Sequence, residues 1–371
     1  MFLQELQLTN FRNYKQLKIK LNPHVNIIYG NNAQGKTNLL ESVYVLGITK
    51  SHLSNIEQSI IKDGCEKAKI KGIVNKNNVK TKLELDIFEN NKTLKIDNEE
   101  IKKVSDYINS SLNIIFFYPE DLEIIKGSPN NRRNFLNVEL SQLSDNYLKI
   151  LTEYNKLLKI RNEYLKKMNK NITVDKTYFQ IITNYLIDKA VLIYKMRTKF
   201  VNKINENCGK VFYQITGLDD FYLKYISNGV LDGDDIKNNL SLKFEKNKEK
   251  EIKFGSTLYG PHRDDLEFYL GDKNLKLYGS QGQKRLAVLS MKLSEIEIFN
   301  QYKGNNPILL LDDVFSELDD IKRNNIIKFL KEDIQVIITT TDLKKINKKK
   351  FKFVSTFKIK NGEIIKTEEV E

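Results

Sequence analysis

The chain has little of what disulfide-stapled or metal-built proteins depend on. Among its 371 residues are only two cysteines, Cys65 and Cys208, and three histidines, His24, His52 and His262. Their spacing supports neither a disulfide framework nor a zinc site, and a reducing, cytoplasmic setting is expected. The N-terminal stretch MFLQELQLTNFRNY lacks the basic-then-apolar order of a signal peptide. No run approaches the roughly 18 uninterrupted apolar residues of a membrane helix, so a soluble protein without a membrane partner is predicted. Internal repeats and long low-complexity linkers are missing as well.

What is there is length and positive charge. The chain is longer than one core usually needs, which predicts two domains or one domain with a large inserted lobe. A net charge of +13 points to an anionic partner, with nucleic acid the commonest choice for a soluble protein. Lysines that merely coat a solvated surface explain the charge almost as well. The densest run, LKKINKKKFK from Leu343 to Lys352, reads equally as a solvated edge or a phosphate track.

Alternation at Leu6, Leu8, Leu17, Ile19 and Leu21 predicts two antiparallel strands around a turn at Asn10 to Tyr14. VNIIYG, Val25 to Gly30, is a buried strand running into a glycine-containing loop. A helix with apolar residues at Leu39, Leu40, Val43 and Leu46 follows and stops at Gly47. Short antiparallel strands fill residues 69–97, and LNIIFFY (Leu112 to Tyr118) is a further apolar strand. Residues 120–215 read as mostly helical, and the stripe Leu151, Tyr154, Leu158 and Leu165 reads as the core of a small lobe rather than a coiled coil. A helix spans 283–302, followed by buried strands in NPILLLDDV and IQVIITTTD that resemble the centre of a parallel sheet. The predicted division is 1–118 for the first part of a core lobe, 119–304 for an inserted helical lobe, and 305–371 for the rest of the core.

GNNAQGKT, residues Gly30, Asn31, Asn32, Ala33, Gln34, Gly35, Lys36 and Thr37, satisfies the phosphate-loop pattern in a strand–loop–helix context. Its backbone N–H groups and the following helix would cradle the phosphates of ATP. Lys36 would reach the β and γ phosphates, and the Thr37 hydroxyl would ligate Mg²⁺. ILLLDDVFSELDD places Asp312 at a strand's carboxyl end beside that loop, where it would hold Mg²⁺ directly or through water. Asp313 would orient or deprotonate the attacking water. YGSQGQKR sets Ser280, Gln281, Gly282 and Gln283 at the start of a helix, where Ser-x-Gly alone is an ordinary capping sequence.

In this order the elements resemble an ABC-type ATPase head: an α/β fold with a mixed sheet around the phosphate-loop core and an inserted, mostly helical lobe carrying a signature loop. LTNFRNY, YPEDLEIIKGSPNNRRNFLN, YGPHRDDLEFYL, GSQGQKR and LLLDDVFSELD narrow the resemblance to the RecF family of bacterial recombination mediators, over nearly the whole chain. The resemblance implies an ATP-dependent homodimer in which Ser280, Gln281, Gly282 and Gln283 face the nucleotide of the second subunit. Ser316 and Asp319 would sit in the loop that touches that subunit. It also implies binding to double-stranded DNA at gaps and single-strand junctions, and work with RecO and RecR to load RecA during repair and replication restart. Arg12, in NFRNY, would contact the nucleotide or DNA, though a solvated turn arginine fits its context equally well.

Two departures from transporter-type relatives bear on rate. Asp313 stands where they usually carry glutamate, and one fewer methylene draws the carboxylate back by about 1.5 Å. TTTD, Thr339 to Asp342, stands where a switch histidine is expected. A weak ATPase acting as a switch is predicted, with Lys36 and Asp313 as its catalytic residues. The alternatives are the ATPase subunit of a membrane transporter, or a small-molecule kinase using the phosphate loop alone. Arg132 and Arg133 could bridge acids or bind phosphate, and the residue types of GPHRDD choose between a local turn and an interface no better.

Overall fold

The computed structural model describes residues 1–52, 57–231, 235–330 and 333–370. The chain divides into two compact units, one of residues 1–121, 210–218 and 285–371, the other of residues 122–209 and 219–284. The second boundary differs from the expected 304/305. Residues Gln281–Lys303 form one helix, and from Arg285 onward it belongs to the first unit. There Lys292 Nζ is buried, donating to the Asp121 carboxylate at 2.6 Å and to the Phe116 carbonyl. A buried ammonium held by a carboxylate fixes that stretch of helix where sequence periodicity is silent.

The first unit holds two six-stranded sheets. In one, the spatial order is Glu363–Val370, Val354–Lys360, Val25–Tyr29, Val336–Thr340, Ile308–Leu311 and Ile114–Phe117. All neighbours run parallel except the terminal pair Val354–Lys360 and Glu363–Val370. Its central strands are continuous β-branched and leucine runs buried on both faces, as parallel strands must be. The other sheet is antiparallel, with Tyr14–Lys20, Phe2–Phe11, Lys67–Lys76, Val79–Phe88, Lys92–Ile96 and Glu99–Glu100 in that order.

The helix Lys36–Ile48 is buried nearly all round, Lys36, Glu41 and Ser42 included, so it is covered on both sides. Leu39, Leu40, Val43 and Leu46 share one core with Leu6 and Ile70 of the antiparallel sheet and Ile28 and Leu310 of the parallel one. This burial holds the N-terminal end of the helix at the carboxyl ends of the parallel strands, where the candidate site residues gather.

The second unit contains the helices Pro129–Leu143 and Asp145–Asn169, the Lys176–Thr216 helix up to Gly209, and a sheet of Phe221–Ile226, Asp265–Leu270 and Lys273–Asn274. Tyr154 and Leu165 are buried and Leu151 and Leu158 half-buried, which places the periodic stripe in this unit's core. The strand Phe221–Ile226 and the helices Ile236–Lys246 and Lys248–Phe254 lack a strong period in the sequence and emerge only in the fold.

Candidate nucleotide site

Strand Val25–Tyr29 delivers the loop and helix Lys36–Ile48 receives it. Two glycines set its path. Gly30 has φ 156°, and a Cβ there would lie 2.4 Å from the Ile359 carbonyl oxygen. Gly35 has φ 106°, and its Cβ would meet the Asn13 amide at 2.5 Å. Side chains at either position would demand both strain and displacement. Ala33 also takes a left-handed conformation, with φ 62°.

Lys36 Nζ donates to the carbonyls of Gly30 at 2.9 Å and Asn31 at 2.7 Å, curling the ammonium over the loop. Burial lowers its pKa, against the opposing pull of Asp313 and Asp312. An anion of higher charge is therefore a better partner than the two carbonyls.

The loop strand and the acid strand are not adjacent. Val336–Thr340 runs between them, and that strand supplies a contact the sequence reading missed. Asp312 accepts from Thr37 Oγ1 at 2.9 Å and from the hydroxyl of Thr339, while Thr339 Oγ1 accepts from the Asp313 N–H at 3.0 Å. Burial raises the Asp312 carboxyl above its ordinary value, and the two threonine hydrogen bonds pull it down again. TTTD thus carries the residue that orients both acids, a role its composition alone does not advertise. Asp313 itself is left-handed, with φ 49°, and its Oδ1 is buried with no partner among the described residues.

These groups enclose a cavity of about 310 Å³, lined by loop residues together with Lys36, Thr37, Pro119, Asp312 and Asp313. A cationic Lys36 and a glycine-containing loop at a helix start, both lining this cavity, suit a phosphate chain. Thr37 and Asp312 offer the hard oxygen set that Mg²⁺ prefers, and Asp313 lines the same cavity.

Arg12 lies elsewhere. Its guanidinium is bidentate to Glu41, at 2.8 and 2.7 Å, and Glu41 is completely buried, so the carboxylate needs this partner. At this turn the next two residues support the loop. Asn13 Nδ2 donates to the Gln34 carbonyl at 3.3 Å and Tyr14 Oη to the Gly35 carbonyl at 2.8 Å. Gln34 turns its side chain away from the cavity, and its Oε1 accepts from the Asn361 N–H at 2.8 Å.

In the second unit, Ser280 and Gln283 form a reciprocal cap: Ser280 Oγ accepts from the Gln283 N–H at 3.2 Å, and Gln283 Oε1 accepts from the Ser280 N–H at 2.8 Å. A Cβ on Gly282 would meet nothing within 4 Å. The preceding Leu277 and Tyr278 are 70% and 72% exposed. In the first unit, Ser316 Oγ donates to the Asp313 carbonyl at 2.8 Å, and Asp319 caps the Asp320–Ile327 helix through the Lys322 N–H.

The model of the RecF/RecN/SMC N terminal domain matches residues 2–365. The "DNA replication and repair protein RecF" of Listeria monocytogenes serotype 4b (strain CLIP80459) is 39% identical, covering 99% of this chain and all of the relative. The chain belongs to the RecF family. The protein of that name from Bacillus velezensis is also 39% identical over 99% of the chain. Among solved structures, one of the recombination mediator RecF with ATP in the RecFOR pathway superposes with a TM-score of 0.90 at 32% identity, covering 100% of this chain and 98% of that one. An Smc head bound to the C-terminal winged-helix domain of ScpA matches with a TM-score of 0.55 at 14% identity, and so shares the fold alone. The fold of this RecF-family chain is therefore the ABC/SMC-type ATPase head, with an inserted, mostly helical lobe.

Proposed function

We propose that the chain is an ATP-controlled DNA-binding protein of recombinational repair, active as an ATP-bound homodimer and acting with RecO and RecR in loading RecA. The observation that carries the dimer is the signature helix end. Gly282 opens a helix with no neighbour near its Cα, although glycine in a helix costs up to about 1 kcal/mol relative to alanine. Two large apolar side chains stand exposed just before it. Among the described residues nothing lies within 4 Å of where a Gly282 Cβ would stand, and close approach of a nucleotide held by a second copy explains this small, bare surface.

In the proposed reaction, Lys36 holds the terminal phosphates and the loop N–H groups orient them. Mg²⁺, when bound, neutralises charge on the phosphate oxygens, and Thr37 and Asp312 are the residues that would hold it. Thr339 keeps the Asp312 carboxylate turned toward Thr37. Asp313, which lines the same cavity, accepts a proton from the attacking water. DNA would be drawn by the helices Asp145–Asn169 and Lys176–Thr216, which carry 13 Lys and Arg against 5 Asp and Glu.

Sedimentation with and without ATP and gapped DNA tests this reading. The parent should dimerise with ATP, Ser280→Arg should bind ATP as a monomer, and Asp313→Asn should dimerise but hydrolyse about 100-fold more slowly. An ATP-bound parent that stays monomeric would sink the proposal, as would a turnover with DNA of hundreds per second.

A further inference from the structure

SPNNRRNF and GPHRDD have no part in the nucleotide site, yet both reach one cavity inside the second unit. It measures about 200 Å³, and its walls include Arg133, Asn134 and Asn137 from helix Pro129–Leu143, Tyr154, Arg197, and His262. No aspartate or glutamate lines it. The volume accommodates a phosphate group with attendant water, at about 30 Å³ per water.

The neighbouring arginines have divided their tasks. Arg132 is buried and bidentate to Asp265, and its Nη1 donates to the Gly127 carbonyl at 3.0 Å. It is a structural cation whose donors are used. Arg133 is half-buried and makes one hydrogen bond among the described residues, from Nη1 to the Asp264 carbonyl at 2.8 Å. None of its nitrogens pairs with a carboxylate there. Burial lowers its pKa, and Arg197 and Arg263 add to that, while Asp265 and Asp264 oppose it.

The other groups are fixed in donor-rich orientations. Arg197 is neutralised by Asp264 and spends its remaining donors on Tyr147 Oη, the Pro261 carbonyl and Asn137 Oδ1. Asn137 Oδ1 also accepts from Tyr147 Oη at 2.8 Å, so the amide nitrogen is what Asn137 has left for the cavity. His262 has both ring nitrogens engaged, with Tyr154 Oη and the Thr257 carbonyl, and adds no acceptor.

We propose that this cavity is a phosphate-binding site of the second unit, with Arg133 its principal cation and Asn134 and Asn137 its amide donors. The source argued for is a backbone phosphate of bound DNA, which rests on the DNA-binding reading above; a free phosphate ion has the same chemistry. A forked guanidinium beside amide donors, with no competing carboxylate, suits a tetrahedral oxyanion.

The test measures anisotropy of a labelled duplex across a salt series and calorimetric binding of inorganic phosphate, using the full chain. Arg133→Gln should weaken duplex binding about tenfold and reduce the slope of log affinity against log salt by about 1. Asn134→Asp, at an exposed position with no side-chain hydrogen bond among the described residues, should weaken it too by placing a carboxylate in the cavity. Lys80→Gln removes one exposed charge from the first unit and should change affinity far less. ATP-driven dimerisation should survive in all three. Loss of phosphate binding in Arg133→Gln with duplex binding unchanged would support the site and assign it to the free ion. If the parent binds no duplex, the DNA reading falls, while the phosphate titration still decides the cavity. The site is overturned if Arg133→Gln and Asn134→Asp both fold and bind duplex and phosphate like the parent. It is equally overturned if Lys80→Gln matches the loss seen with Arg133→Gln.

Discussion

The nucleotide cavity of the first unit and the polar centre of the second both bury ionised groups, but they leave them in opposite states. At the cavity, Lys36 settles for two carbonyls, and a carboxylate oxygen of Asp313 has no partner among the described residues. In the networks around Arg161 and Asp264 of the second unit the donors are matched. Arg161 bonds Glu251, Thr257 and Thr183, and Glu251 in turn accepts from the Leu258 N–H. Asp264 accepts from Arg197, Tyr194 and Tyr225. Unmet hydrogen-bonding capacity marks where a ligand belongs, and complete satisfaction marks where the fold is held.

The comparison breaks first, and with the largest effect, at Glu251. Glu251→Ala leaves the Arg161 guanidinium buried without its counter-charge, and about 3–5 kcal/mol of stability should be lost. Denaturant unfolding measures this, and the remaining folded molecules should bind ATP as before. A loss under 1 kcal/mol would mean that this network does not hold the unit.

Acid should separate the two regions next. His52 packs against Phe116 and Tyr118 in the first unit, and burial, with help from Lys292 and Arg12, lowers its pKa to about 3 from 6.5. The unfolded chain therefore takes up this proton first, and stability should fall as pH drops from about 6.5 toward 3. In the second unit two groups oppose each other. His262, lowered to about 4 by burial, loses stability on acidification below 6.5 in the same way. Asp264, raised to about 6 by burial, is protonated first in the folded state and gains stability as pH falls from about 6 to 3.8. His52→Phe should flatten the acid limb of the thermal midpoint against pH. An unchanged limb would place the acid sensitivity in another group.

The smallest effect sharpens the contrast most. Gly282→Ala should raise monomer stability by up to about 1 kcal/mol, because its Cβ meets nothing, while weakening the ATP-dependent dimer. A variant that is both more stable and equally dimeric would remove the argument from this glycine.

GNNAQGKT and LLLDD were legible because their chemistry is local. Eight consecutive residues define the loop, and four buried residues place the acids at a strand end. Arg132 and Arg133 were not legible, since identical side chains at adjacent positions are told apart only by Asp265, far along the chain. The carboxylate partner of Arg12 was hidden for the same reason, Glu41 being brought to it by the helix that follows the loop.

The sequence by itself determined the strand–loop–helix course of GNNAQGKT, the place of Asp312 and Asp313 at a strand end and the order of the elements around them, because backbone curl and strand burial follow from neighbouring residues. Tertiary structure alone decided which polar groups found partners. It inserted the Thr339 strand between loop and acids, assigned Arg12 and Arg132 to carboxylates, and left Asp313 and Arg133 with capacity to spare. Hydrogen bonding and desolvation depend on groups distant in sequence, and only the packed fold brings those groups within reach.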